Sequence, residues 1–270
     1  MRSPSSVRDW LDREDPDGAV ARFRRIFAGI WLAYDLIDLA LGATEHGRNW
    51  FPHPREPGLV AIQIALVVCG VQLVRQRRVY AFGLAAAALR LVEGLAFFKL
   101  NDFYFYAITM LLLAHGDGGP FEEGKRPVWV RHALLVELGW IYFATALMKA
   151  NPDWLSGGHL YVRTEYLSRA LGWPYPPPLR HAFQSLAVDS VLAHLAIGAE
   201  LVLALVLWAR RPYWLGVFLV VGIHTFGTIV TNVWFFSAST ITAVVVLLPR
   251  SGRRRDDDGA IDHRKEQQQQ

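Results

Sequence analysis

Apolar runs almost empty of charge recur along this chain, among them Leu59–Val74, Phe82–Ala88 and Val191–Ala199. A helix needs about 20 mostly apolar residues to cross the hydrocarbon of a bilayer. Within lipid every backbone polar group must be satisfied internally, which leaves helices or closed barrels. The runs lack the period-two alternation of barrel strands, so helices are expected. Composition agrees: 53% of residues are hydrophobic and 19% charged, against about 25% charged in soluble domains. The expected fold is an all-α, polytopic transmembrane helical bundle. Its spans fall near 23–43, 58–75, 79–99, 101–115, 129–150, 187–209, 212–229 and 231–249.

Eight spans put both termini on one side, and the basic residues choose which. Arg22, Arg24 and Arg25 precede the first span, and Arg75, Arg77 and Arg78 fill the second connection. Lys125, Arg126 and Arg131 lie at the fourth connection, Arg210 and Arg211 at the sixth, and Arg253–Arg255 follow the last span. Under alternation all these clusters fall on one face, which the positive-inside rule makes cytoplasmic. The opposite face carries only scattered Arg48, Arg55, Arg163, Arg169 and Arg180. A multi-pass protein of the cell membrane with both termini cytoplasmic follows. Membrane lipids are its expected partners. The net charge of +4 does not imply nucleic acid, because the cations flank apolar spans instead of lining one polar face.

Three regions are expected: a polar cytoplasmic segment over 1–20, a transmembrane domain over 21–250, and a disordered polar tail over 251–270. The first segment is too polar for a signal peptide, so targeting falls to the first span. Within the long outer connection 151–186, the prolines of WPYPPP at 173–178 forbid regular helix. The preceding HLYVRTEYLSRALGW sets Leu160, Leu167 and Leu171 at helical spacing, so an outer-face interfacial helix is expected there. The single Cys69 excludes an internal disulfide. No His-x-x-x-His or His-x-x-Glu pair sits on a span, and no metal is expected.

Ionisable residues inside spans are expensive and each needs a reason. Span one carries Asp35 and Asp38, span three Arg90 and Glu93, span five Glu137 and Lys149, span six His194 and Glu200, and span seven His224. Counted along the spans, Asp38, Glu93, Lys149, His194 and His224 fall in the outer half. Asp35, Arg90 and Glu200 lie near mid-depth, and Glu137 lies nearer the cytoplasm. One explanation is a shared polar cavity open outward. The other is internal pairing, with Arg90 joined to Glu93, Asp35 or Asp38. Lys149 ends an apolar span just before a turn containing Trp154. It either snorkels to the interface or faces a cavity where desolvation favours the neutral amine, a form able to act as a general base.

At these residues the chain resembles the vitamin K-dependent gamma-carboxylase superfamily of membrane proteins, called HTTM. The resemblance runs through NDFYFY (101–106), RPVW (126–129), YFATALMKANPDWLSG (142–157), EYLSR (165–169) and HTFGTIVTNVWFFS (224–237), in family order. The specific element is Lys149, then Trp154 five residues on, then Gly157 three further. The resemblance implies Lys149 as the catalytic base toward a reduced quinone of the vitamin K or menaquinol kind, and it sets His224 on a family histidine of the penultimate span, expected as a catalytic partner that orients the head group. It places Trp154, Gly157, Glu165 and Arg169 on the motif loop. Asn101, Glu93, Trp154 and His194 are the candidates to bind the cofactor.

The chain departs from the family at Glu137, where members usually carry Gln, and in a loop longer by about one helical turn before EYLSR. His115 and His132 lie only near the position of the family's other histidine. About 20 polar residues follow the last span, so a propeptide-binding domain is not expected. Two functions lead, and a small transporter ranks last because the chain shows no paired broken spans or inverted halves. One is a quinol-dependent oxygenase or carboxylase-like enzyme, acting as lyase and quinol epoxidase on a secreted peptide or protein. The other is a non-catalytic accessory protein for maturation or export of a secreted peptide.

Overall fold

A computed structural model describes residues 18–41, 57–97, 100–117, 128–170, 177–183, 185–231 and 234–249. The described residues are almost all helical, with no strand among them. The helices are α1 (Ala19–Leu41), α2 (Pro57–Val74), α3 (Val79–Phe97), α4 (Leu100–Ala114), α5 (Val128–Lys149) and α6 (Pro152–Leu155). They continue with α7 (Gly158–Ala170), α8 (Pro177–Ala182), α9 (Leu186–Ala209), α10 (Tyr213–Thr231) and α11 (Trp234–Leu247). Each expected span coincides with one helix to within a few residues. The expected N-terminal segment, the polar tail and most of the proline run at 173–178 lie outside the described residues. Two helices, α5 and α9, are long and apolar enough to cross a membrane by length and composition.

The helices pack as neighbours in sequence: α1 on α2, α2 on α3, α3 on α4, with α5 against α9 and α11 returning to α1. Small residues let backbones approach. A Cβ on Gly83 of α3 would come 2.8 Å from the Ala114 side chain, and one on Gly139 of α5 would strike the Trp208 ring of α9 at 2.4 Å. One large core runs through α1 to α5 and α9 to α11, including Phe27, Trp31, Phe105, Tyr106, Leu138, Leu203 and Val244. A small satellite cluster of Leu160, Phe183 and Ala193, with Trp154 and Phe226 against it, seats α7 on α9.

Several arginines expected to mark one face gather at one end of the bundle, and two of them are internal. Arg24 in α1 is buried and donates to Gln76 in the α2–α3 turn. Arg131 donates from Nε to the Leu247 carbonyl, 2.6 Å away, covering the C-terminus of α11. Arg210, at the C-cap of α9, is pushed below its ordinary range by burial and by the like charge of Arg131. The starts of α1 and α5, the α2–α3 turn and the ends of α9 and α11 therefore share one end. Lys149 terminates α5 at the other.

Candidate functional site

The turn after α5 is fixed by its own side chains. Asn151 caps α6, its Oδ1 accepting from the backbone N–H of Asp153 at 3.1 Å and of Trp154 at 3.2 Å. Its Nδ2 donates back to the Met148 carbonyl at 2.7 Å. Gly157 then takes φ +82°, a left-handed conformation that favours glycine. A Cβ there would lie 2.5 Å from the Ser190 nitrogen and 2.7 Å from the Leu186 carbonyl, both backbone atoms of α9. Ser190 Oγ donates to the Leu155 carbonyl at 2.5 Å, tying the turn to the same helix. The Lys–Trp–Gly spacing thus has a structural content: Gly157 docks the turn on α9, which sets Trp154 under Lys149.

Lys149 forms an ion pair with Glu200 of α9 and lies over the Trp154 ring, its Nζ 5.2 Å from the centroid. Trp154 is itself stacked on His159, centroids 4.5 Å apart. The Lys149 side chain is 24% exposed and that of Glu200 5%. Glu200 Oε2 is buried without a hydrogen-bond partner. The sequence offered Lys149 either as a lone amine in a dry chamber or as a snorkelling cation. The structure gives it a buried counter-ion and a ring instead.

Two turns before Lys149 on α5, the Tyr142 hydroxyl lies 2.6 Å from His224 Nε2. The Thr240 hydroxyl of α11 lies 2.8 Å from the same nitrogen. The other ring nitrogen, Nδ1, lies 3.1 Å from Ser237 Oγ, which also accepts from Thr228 at 3.1 Å. Both nitrogens of this buried imidazole are engaged. Sequence reasoning missed Tyr142, Ser237, Thr240 and the role of Glu200. Tyr142 stands seven residues before Lys149, a spacing that puts both on one helical face, and that signal was available.

The remaining ionisable groups form a separate cluster. Arg90 of α3 donates to Asp35 of α1 at 2.6 Å and to Glu93 at 2.5 Å. Its guanidinium lies 4.7 Å from the Tyr106 ring, 5.1 Å from Trp31 and 5.8 Å from Tyr34. Asp38 accepts from Gln63 of α2. Arg90, Asp35, Asp38 and Glu93 are all buried. An aromatic layer lies between the clusters: Phe27 contacts Tyr106 and Phe105, Phe105 contacts Phe236, and Phe236 contacts His224.

Of the two readings, a shared chamber and internal pairing, Arg90 follows the pairing with Asp35 and Glu93, and Lys149 forms a second, separate centre with Glu200. Glu93, a candidate for cofactor binding, is bound to Arg90 in the first. His194, another, is exposed on α9, its Nδ1 2.8 Å from the Ser190 carbonyl of its own helix. Trp154 is at Lys149. The Asn101 backbone belongs to α4, but its side chain lies outside the described residues, as does that of Arg169. Glu137 lies 3.5 Å from the Thr109 hydroxyl of α4, apart from both centres. No family model, no curated protein and no solved structure matches this chain.

Proposed function

We propose that the chain is a multi-pass membrane protein of the gamma-carboxylase-like, HTTM type, in which Lys149 acts as base toward a quinol at the outward end of the bundle. It crosses the bilayer eight times, with both termini cytoplasmic. The exposed side chains support the membrane setting: Trp214 is 76% exposed, Phe218 74% and Leu205 61%. Only a third of the most apolar window of α9 is buried. An apolar surface of that extent marks lipid or a partner, not water. The gathering of arginines at the end opposite Lys149 supports the orientation.

The observation that carries the chemical reading is the partly exposed Lys149 amine, held between Glu200 and Trp154, two turns along α5 from Tyr142 and its partner His224. Cation, carboxylate and aromatic ring together suit an aromatic alcohol: the amine and carboxylate handle its proton, and the indole offers a stacking face. A bound reduced quinone of the vitamin K or menaquinol kind would supply the oxygen chemistry. Lys149 takes the hydroxyl proton, and His224 holds Tyr142 in place. A secreted peptide or protein is the substrate class that the resemblance attaches to this chemistry.

The test is Lys149→Ala in protein reconstituted with menaquinol. Quinol turnover should disappear while membrane insertion is unchanged. Turnover at the unmodified rate would remove the catalytic role. A second reading, a non-catalytic accessory protein for maturation or export of a secreted peptide, is favoured by one feature. Counter-ion and ring already satisfy Lys149, as an architectural lysine requires. Native mass spectrometry separates the two: co-purified isoprenoid quinone supports the first, and its absence together with loss of peptide export on deletion supports the second.

A further inference from the structure

We infer that Glu200 is the proton store behind Lys149, the two side chains acting as one acid–base couple toward an acidic hydroxyl; this rests on the quinol reading above. An ammonium cannot accept a proton. Lys149 forms an ion pair with Glu200 Oε1, so the amine can accept a proton only as its own proton moves away. Glu200 Oε1 is in hydrogen-bond contact with Nζ and is the acceptor at hand. Tyr142 and His224 do not compete for this role, because their polar atoms are committed to each other and to Thr240 and Ser237. Position divides the work. Lys149 is the partly exposed member that meets the ligand, and Glu200 is hidden behind it.

The step balances. In one concerted step the Nζ–H bond of the ammonium breaks as an O–H bond forms on Glu200, while the hydroxyl O–H of the ligand breaks and an N–H bond forms on Lys149. The final state holds an ammonium, a carboxylic acid and a negatively charged ligand oxygen next to the ammonium. Net charge is unchanged and no oxidant is consumed. Glu200 Oε2, buried without a hydrogen-bond partner, is the atom at which the couple can pass its proton on. Glu200 touches Lys149 and not the reacting atoms, so it is a positioning residue.

Three measurements on the full chain in lipid nanodiscs test this. The first is acetylation of Lys149 by an N-hydroxysuccinimide ester, mapped by peptide mass. Glu200→Gln removes the counter-charge and should raise the labelling rate about tenfold. Glu200→Asp should stay within about twofold of the unmodified protein, since the charge is retained. An unchanged rate in Glu200→Gln overturns the inference. The second is menaquinol turnover, expected to be lost in Glu200→Gln and recovered in Glu200→Asp. Full turnover in Glu200→Gln overturns the inference and leaves Lys149 as base. No turnover in the unmodified protein overturns the quinol reading and this inference with it. The third needs no variant to fold: a single-turnover proton inventory should curve, as two protons in flight require. A straight line overturns the couple.

Discussion

The Arg90 and Lys149 centres are made of the same parts, a cation, carboxylates and aromatic rings, yet they differ in access and in the choice of cation. Arg90 is fully enclosed, gripped by Asp35 and Glu93 and ringed by Trp31, Tyr34 and Tyr106. Lys149 has one carboxylate, one ring and a quarter of its side chain open. Arginine holds its proton under all ordinary conditions and offers a rigid fork of donors, so it suits a permanent joint between α1 and α3. Lysine gives its proton up more readily when its surroundings change. The closed centre holds helices together, and the open one leaves its cation within reach of a ligand.

The sharpest way to break that contrast is Arg90→Met. It strands two carboxylates inside the bundle, and removing one partner of a buried pair costs about 3–5 kcal/mol. The folded fraction after heating, read by size-exclusion in detergent, should fall steeply. Adding Asp35→Leu and Glu93→Leu to Arg90→Met should restore most of it, because apolar residues of similar volume often replace a buried ion cluster without loss. If the triple variant folds well and also loses quinol turnover, the Arg90 centre is not a joint alone.

How far the sequence reaches is visible in these same residues. Helix positions were legible, since long apolar runs without period-two alternation point to helix. Facing direction was not. The azimuth of His194 is set by how α9 packs on α5 and α7, and that packing turns it outward. Glu200 is 51 residues from Lys149, and nothing local joins them. The pairing of Arg90 with Glu93 is local, one turn apart, and was legible as one option among three. The Lys–Trp–Gly motif was legible as a pattern, but not the physical need behind Gly157.

That need yields the second test. Gly157→Ala forces a side chain into φ +82° and against the α9 backbone, with Ser190 and Leu186 atoms inside 3 Å of the new Cβ. Left-handed strain for a non-glycine residue costs of order 1–3 kcal/mol before the clash is counted. Backbone on the far side cannot swing away as a side-chain tip would. The turn should lift from α9, loosening Trp154 and speeding Lys149 acetylation while the Arg90 centre is untouched. Gly198→Ala, at a position with nothing within 4 Å of the added Cβ, is the matched control and should change neither stability nor labelling. Equal behaviour of the two variants would mean that the turn is not docked.

The smallest expected effect carries the finest distinction. Tyr142→Phe removes one hydroxyl from His224 and leaves the ring, so packing on α10 is kept. A neutral hydrogen bond of this kind contributes about 0.5–1.5 kcal/mol. Thr240 still faces His224 Nε2 and Ser237 still faces Nδ1, so the imidazole keeps partners at both nitrogens. Thermal stability should drop by no more than that amount, measured by the same size-exclusion assay. Turnover decides what Tyr142 is for. If the hydroxyl only locks α5 to α10, the Michaelis constant and turnover number should move little and together. If it orients a ligand beside Lys149, the Michaelis constant should rise several-fold with the Lys149 labelling rate unchanged. The phenol would then belong to the open centre, and the proton couple would need neither it nor His224 to work.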